Sequence, residues 1–115
     1  MDSIPSRMRR NGTDPAYRNR NGYFTKQGSD WKGVTYGDYY QESLKVARAL
    51  LSMDFPVGGS VCILSFNRPE WVIADIACMM VRGVPAGIYQ TCSPEEVEYI
   101  IHHSEASVIF VENEE

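Results

Sequence analysis

Residues 61–66 read VCILSF, an almost unbroken apolar run that is bounded by turn-forming residues on both sides. A short run of this kind is typical of a strand that is buried on both faces, as in a parallel sheet. Residues 67–70 (NRPE) follow at once and predict a helix start, because a proline in the first turn loses no hydrogen bond there. The sequence therefore predicts a buried strand that leads directly into a helix.

The same alternation continues toward the end of the chain. A helix that is apolar nearly all round is predicted over 70–82, and Gly83 ends it before a second strand over 84–89. Ser93 and Glu96 have the spacing of a capping box, which predicts a third helix that buries Val97, Ile100 and Ile101. Residues 107–111 predict a third buried strand. Helical crossovers between apolar strands require parallel pairing, so we expect an α/β fold with an incomplete doubly wound parallel sheet of three main strands.

A small β-hairpin and an amphipathic helix are predicted ahead of this sheet. The strands of the hairpin are expected over 23–25 and 31–36, with the turn over 27–30. Its aromatic residues Tyr23, Phe24 and Trp31 are expected to cover the side of the main body. Apolar positions from Asp38 to Met53 recur at helical spacing, which predicts a helix that lies on the core.

Charge divides the chain into two parts. Residues 1–26 carry a net charge of +4 and residues 27–115 carry −8. Residues 1–21 have little apolar content, so we expect a flexible basic arm, followed by one folded unit over 22–115. Such an arm could contact nucleic acid or anionic lipid. It has few aromatic residues between its arginines, which favours a solvated tail without a nucleic-acid partner and leaves peripheral membrane contact open.

The sequence shows little sign of a membrane span, a secretory signal or a disulfide framework. The longest apolar run, 71–81, is interrupted by Asp75 and falls short of the roughly 20 residues that a bilayer span needs. No apolar stretch follows the N-terminal arginines, so a cytoplasmic location is expected. The cysteines Cys62, Cys78 and Cys92 are widely spaced, and we expect reduced, structural thiols rather than disulfides or a zinc site.

Candidate binding residues follow the predicted strands. In open α/β sheets ligands gather at the carboxyl ends of the strands, which here are followed by Asn67, Arg68 and the segment 89–93. Helix N-termini at this edge could attract an anion, but nearly every unit of this kind shares that geometry. The adjacent glycines Gly58 and Gly59 precede a strand, so they indicate a helix stop instead of a phosphate-binding loop.

Candidate catalytic residues are each explained more simply by structure. His102 and His103 fall in the last turn of a predicted helix, where they suit the helix dipole and point in different directions. The other candidates are Ser65 inside a strand, Ser93 at a helix cap, Cys92, and Asp75 in an apolar helix without a visible partner. We therefore predict no catalytic, cofactor-binding or metal-binding residue in this chain.

Three segments resemble a known family. Residues 31–40 (WKGVTYGDYY), 63–75 (ILSFNRPEWVIAD) and 87–96 (GIYQTCSPEE) are similar to the N-terminal region of long-chain acyl-CoA synthetases of the bubblegum type, in the adenylate-forming (AMP-binding) superfamily. The resemblance implies that 22–115 is part of an N-terminal subdomain. It also implies a reaction in which a fatty acid, ATP and coenzyme A form acyl-CoA, AMP and pyrophosphate with Mg²⁺. The ATP-binding and catalytic motifs of that family are expected beyond residue 115, so we expect a fragment without activity of its own.

Two other functions remain open at this point. One is a non-catalytic interaction module that pairs with a full-length partner, or with itself, through exposed sheet edges. The other is a small Rossmann-like nucleotide-binding domain, which the missing glycine fingerprint disfavours.

Overall fold

The computed structural model describes residues 2–114. Met1, the first residue of the expected arm, and Glu115, the last residue of the expected folded unit, lie outside the described residues. Nine elements follow one another along this part of the chain. They are α1 (Ile4–Thr13), β1 (Asn21–Gln27), β2 (Asp30–Thr35), α2 (Tyr36–Ser52), β3 (Ser60–Leu64), α3 (Pro69–Met80), β4 (Val84–Ile88), α4 (Pro94–Ser104) and β5 (Ala106–Val111).

The predicted α/β fold is confirmed. Strands β3, β4 and β5 form a parallel sheet in the order β4-β3-β5, with Cys62 opposite both Ala86 and Ile109. Strands β1 and β2 form the predicted antiparallel hairpin as a separate two-stranded sheet. The sheet therefore has β3 at its centre, which is why the run at 61–66 is the most apolar of the three.

The core lies between β3 and the two helices on one face of the sheet. Val61 and Ile63 point to this face and pack with Leu50 of α2 and with Ala77 and Cys78 of α3. Side chains alternate along a strand, so Cys62 points to the opposite face, where its Sγ lies 3.3 Å from Ser104 Oγ of α4. Both faces of β3 are thus covered by helices, as the sequence predicts.

The prediction that the third strand and the helix before it are buried is wrong in degree. Alternate residues of β5 are exposed, and Val111 keeps 57% of its surface in solvent. Val97, Ile100 and Ile101 of α4 are only half-buried, and no residue of α4 is fully buried. In the part of the chain that the structure describes, β5 is an edge strand, and α4 is the only helix on its side of the sheet. Among the described residues, no further element packs over α4 or beside β5, so both stay partly exposed.

The expectation of a flexible arm without regular structure is wrong for Ile4–Thr13, which forms α1. Ser3 and Ser6 cap its first turn reciprocally, and Pro5 stands where a proline favours helix initiation. Met8 and Gly12, four residues apart, are buried where α1 packs against α2 and α3. The boundary between an arm over 1–21 and a folded unit over 22–115 stays a prediction.

Only one of the three hairpin aromatics covers the main body. The ring of Tyr23 packs edge-on against Tyr39 of α2, with the ring centroids 5.2 Å apart. Phe24 and Trp31 are exposed, which corrects the expectation that they lie against the body. Neighbouring residues of a strand face opposite sides, so Tyr23 and Phe24 could not both point inward.

Candidate functional site

The carboxyl ends of the three parallel strands meet at one edge of the sheet. β3 ends at Leu64, β4 at Ile88 and β5 at Val111, and a polar segment follows each of them. Because the strands are parallel, these segments lie side by side. The predicted candidates Asn67, Arg68 and 89–93 are thereby brought to one edge, as expected.

Glu112 joins two of these segments. Its Oε2 accepts a hydrogen bond from the backbone N–H of Phe66 at 2.9 Å, and its Oε1 accepts one from Arg68 Nη1 at 3.0 Å. The backbone N–H of Glu112 donates to the carbonyl oxygen of Leu64 at 3.2 Å, which extends the β3–β5 ladder by one bond. The carboxylate thus fixes the loop between β3 and α3 against the end of β5.

Further hydrogen bonds complete this strand-end cluster. Arg68 Nε donates to Glu70 Oε2 at 2.8 Å, and this bond raises the pKa of Arg68 and lowers that of Glu70. The side chain of Gln90, after β4, donates to the carbonyl oxygen of Ser65. Ser65 Oγ in turn donates to the carbonyl oxygen of Phe66 at 3.0 Å. Arg68 therefore donates to the carboxylates of Glu70 and Glu112, and the side chains of Ser65 and Gln90 donate to backbone carbonyl oxygens. These bonds hold the ends of the strands together, which is a structural role.

The remaining sequence candidates occupy structural positions. Ser93 caps α4, accepting from the N–H of Glu96 at 3.2 Å while its own N–H donates to Glu96 Oε2 at 2.7 Å, so the predicted capping box is confirmed. Gly58 has a φ of +78° and forms the turn before β3. Cys92 is a half-buried free thiol, and Asn67 is exposed in the loop beside Arg68.

The two histidines lie exposed in the last turn of α4, as predicted. The ring of His103 stacks on Tyr99 with the centroids 5.5 Å apart. His102 Nε2 lies 3.8 Å from Glu98 Oε1, one helical turn away. Among residues 2–114, no group of three or more histidine, cysteine or acidic side chains could hold a metal ion.

Burial is the main cause of the raised pKa values in the interior. It raises the pKa of the Asp75 carboxyl above its ordinary value of 3.8. Burial, with a smaller effect of Asp75, also raises the pKa of Tyr39 to about 12. Burial raises the pKa of the Cys78 thiol to about 11, so this cysteine is protonated and unreactive at neutral pH.

An apolar groove of about 860 Å³ lies between α4 and the β3–β5 side of the sheet, next to the strand-end cluster. Leu64, Val97, Ile101 and Val111 form most of its apolar lining. Its polar rim includes Glu98 and His102 of α4 and the acidic residues that follow β5, among them Glu112. The groove exists because α4 and β5 leave these side chains half-covered.

Sequence reasoning missed Glu112, which organises the strand-end cluster. It follows the end of β5 just as Ser65 follows the end of β3, so the rule that predicts Asn67 and Arg68 applies to it as well. The signal was therefore present in the order of strands, whereas the pairing of Glu112 with Phe66 and Arg68 was not.

Comparisons with known proteins agree with this architecture. The family described as AMP-binding enzyme matches residues 6–115. Among individual proteins, the chain is 39% identical over 89 residues to the long-chain-fatty-acid–CoA ligase ACSBG2 of Gallus gallus, which covers 77% of this chain and 12% of that protein. It is 32% identical over 108 residues to ACSBG2 of Homo sapiens, covering 94% of this chain and 15% of that protein.

Solved structures share the fold. An anthranilate CoA ligase, AuaEII in complex with anthranoyl-AMP, superposes on 93% of this chain and 20% of its own with a TM-score of 0.81 and 25% identity. The N-terminal subdomain of NpsA from Klebsiella oxytoca superposes on the whole chain and 29% of its own with a TM-score of 0.84. Identity to NpsA is 15%, so that likeness concerns the fold alone. The chain spans less than a third of each of these proteins.

Proposed function

The chain belongs to the AMP-binding enzyme family and is homologous to the N-terminal part of long-chain-fatty-acid–CoA ligases, and from this premise we propose that it serves as scaffold in such a ligase. The proposed reaction joins a fatty acid, ATP and coenzyme A into acyl-CoA, AMP and pyrophosphate. The chain contributes no reacting group of its own and is inactive by itself.

One observation carries this proposal. The 39% identity to the Gallus gallus ligase extends over 89 residues, most of the described fold. Sequence identity at that level relates the chain to a particular group of enzymes, whereas a shared α/β fold alone would fit many functions. It favours the fatty-acid ligases over the aryl-acid enzymes that share the fold.

The described residues fit a scaffold role better than a substrate site. A phosphate or nucleotide site at this edge would need free donors, yet Arg68 is already held by two carboxylates, Glu70 and Glu112. Among residues 2–114, every buried side-chain nitrogen and oxygen has a partner, and no metal-ligating cluster occurs. These residues therefore do not fit Mg²⁺ or the phosphates of ATP, and we place the binding of ATP, Mg²⁺ and coenzyme A in other parts of the enzyme.

A segment exchange tests the proposal directly. In ACSBG2 of Gallus gallus, the matched segment is replaced by that of this chain, and acyl-CoA formation from a long-chain fatty acid is measured. We expect the chimera to retain activity, because the exchanged segment supplies only packing and the strand-end cluster. A folded but inactive chimera would contradict the proposal.

Two controls sharpen this experiment. The same chimera with Leu50→Ala should melt at a lower temperature and lose activity in parallel, because Leu50 is completely buried. The isolated 115-residue chain, given fatty acid, ATP, Mg²⁺ and coenzyme A, should form no acyl-CoA. Turnover by the isolated chain would show that it contains a reaction centre and is more than scaffold.

The exposed sheet edges favour a second candidate function, an interaction module that pairs with itself or with a full-length ligase. Within residues 2–114, β4 and β5 each pair on one side only, and Ile109 and Val111 of β5 are exposed. Sedimentation over a range of concentrations distinguishes the two. A concentration-independent monomer would exclude self-pairing, whereas a dimer that Val111→Lys dissociates would support it.

A further inference from the structure

The hairpin β1–β2 has one face against the protein and one face in solvent. In its register Tyr23 pairs with Val34, and these residues face α2, where Tyr23 meets Tyr39. Lys26 pairs with Trp31, and Phe24 lies two residues before Lys26 on the same strand. Cross-strand partners share a face, so Phe24, Lys26 and Trp31 lie together on the other side, which we call the outer face of the hairpin.

The outer face exposes two large aromatic side chains at diagonal positions on its two strands. Phe24 keeps 55% of its surface in solvent and Trp31 keeps 65%. Single exposed apolar residues are normal in soluble proteins, but two aromatic residues on one face of a hairpin form a patch. Exposing them has a free-energy cost that a partner surface would remove.

One positive charge lies within this patch. Lys26 is exposed on the outer face, whereas Lys32 pairs with Thr25 and belongs to the opposite face of the hairpin. The first 35 residues, which contain α1 and the hairpin, carry a net charge of +4, whereas residues 36–115 carry −8. The aromatic patch thus stands on the only basic part of an otherwise acidic chain.

We propose that the outer face of the hairpin is a docking surface for an anionic lipid bilayer. Tryptophan and phenylalanine insert their rings at the boundary between head groups and acyl chains, and Lys26 binds an anionic head group beside them. The acidic remainder of the chain is repelled by the same surface, so only one orientation brings the protein to the membrane. This inference goes beyond the ligase proposal and does not depend on it.

The charge distribution favours lipid over a second copy of the chain. Two hairpins that met by their outer faces would bring Lys26 of one copy against Lys26 of the other, and like charges at an interface oppose association. A bilayer that contains phosphatidylserine offers negative charge and an apolar layer together. Both features of the outer face are then complemented at once.

Co-sedimentation of the full 115-residue chain with vesicles tests the proposal. We expect binding to vesicles of phosphatidylcholine with phosphatidylserine, and much weaker binding to phosphatidylcholine alone. Phe24→Ala with Trp31→Ala should lower the partition coefficient at least tenfold, because the apolar area that enters the bilayer is lost. Lys26→Gln should lower it roughly fivefold on the anionic vesicles and leave binding to phosphatidylcholine unchanged.

A matched control exists on the acidic side of the molecule. Tyr99 in α4 is 66% exposed, nearly the same as Trp31, so Tyr99→Ala should leave vesicle binding unchanged. All these side chains are exposed, and circular dichroism will verify that the variants fold. The proposal is overturned if the chain stays in the supernatant, or if the double aromatic variant binds like the parent. It is equally overturned if the aromatic substitutions dissociate a dimer without affecting vesicle binding.

Discussion

The carboxylate of Glu112, one residue past β5, accepts a hydrogen bond from the backbone N–H of Phe66, two residues past β3, at 2.9 Å. The side chain of Glu112 is only 26% exposed, and Arg68 binds its other oxygen. Forty-six positions separate the two residues along the chain. This bond joins the segments that follow β3 and β5 at the carboxyl edge of the sheet, so its loss should lower the free energy of unfolding.

Replacing Glu112 by alanine removes the acceptor of both Phe66 and Arg68. We expect the free energy of unfolding to fall by about 1–2 kcal/mol, the usual cost of leaving a charged hydrogen bond unmade. Urea denaturation followed by circular dichroism measures it. Glu114→Ala, which removes an exposed carboxylate two residues on, should change it by less than about 0.5 kcal/mol. Equal stabilities of the two variants would contradict the role of Glu112.

Adjacent leucines of α2 provide a test of the core. Leu50 is completely buried and Leu51 is 58% exposed. Leu50→Ala should lower the free energy of unfolding by about 2–5 kcal/mol, because it leaves a cavity between α2 and β3. Leu51→Ala should change it by no more than about 0.5 kcal/mol. Thermal and urea unfolding of both variants will show whether α2 presents this face to the sheet.

The docking of α1 rests on a close approach at Gly12. A Cβ atom at this position would collide with Cβ and Cγ of Tyr40 in α2. Gly12→Ala should therefore destabilise the protein by about 1–3 kcal/mol, although alanine favours a helix in isolation. Trypsin should also cleave faster after Arg9 and Arg10 as α1 leaves the body.

Arg9→Ala serves as the comparison for this substitution, because Arg9 is exposed on the same helix. It should leave the free energy of unfolding within about 0.5 kcal/mol of the parent. A Gly12→Ala variant as stable as Arg9→Ala, or more stable, would mean that α1 does not pack on Tyr40.

The buried carboxyl of Asp75 predicts a dependence of stability on pH. Burial raises its pKa in the folded protein, so the folded state holds this proton more tightly than the unfolded chain does. The contribution to stability is therefore complete below pH 3.8 and is lost as the pH rises through the raised pKa. Asp75→Asn cannot ionise, so it should be more stable than the parent at neutral pH.

Unfolding curves over a range of pH check this prediction. The difference between Asp75→Asn and the parent should shrink toward zero as the pH falls below 3.8. Asp30→Asn, at an exposed aspartate in the hairpin, should follow the parent at every pH. A stability gap for Asp75→Asn that is independent of pH would indicate a lost contact instead of a lost charge.

Prediction from sequence succeeded where the signal is local. The strand at β3, the capping box of Ser93 and Glu96 and the hairpin turn all depend on residues within a few positions of one another, and the structure confirms them. Helix α1 was missed although Ser3 and Pro5 mark its start, because its content of apolar residues is low. Its buried side is little more than Met8 and Gly12, a pattern too sparse for periodicity to detect.

By itself, then, the sequence determined the order of elements from β1 to β5, the parallel pairing of β3, β4 and β5, and the family to which the chain belongs. Only the tertiary structure decided that β3 is central and β5 an edge, that Phe24 and Trp31 face solvent, and that Glu112 binds Phe66 and Arg68. The physical reason is how far apart along the chain the interacting residues lie. Helix caps and the periodic spacing of apolar residues depend on residues a few positions apart, whereas the burial of a side chain depends on which distant segment packs against it.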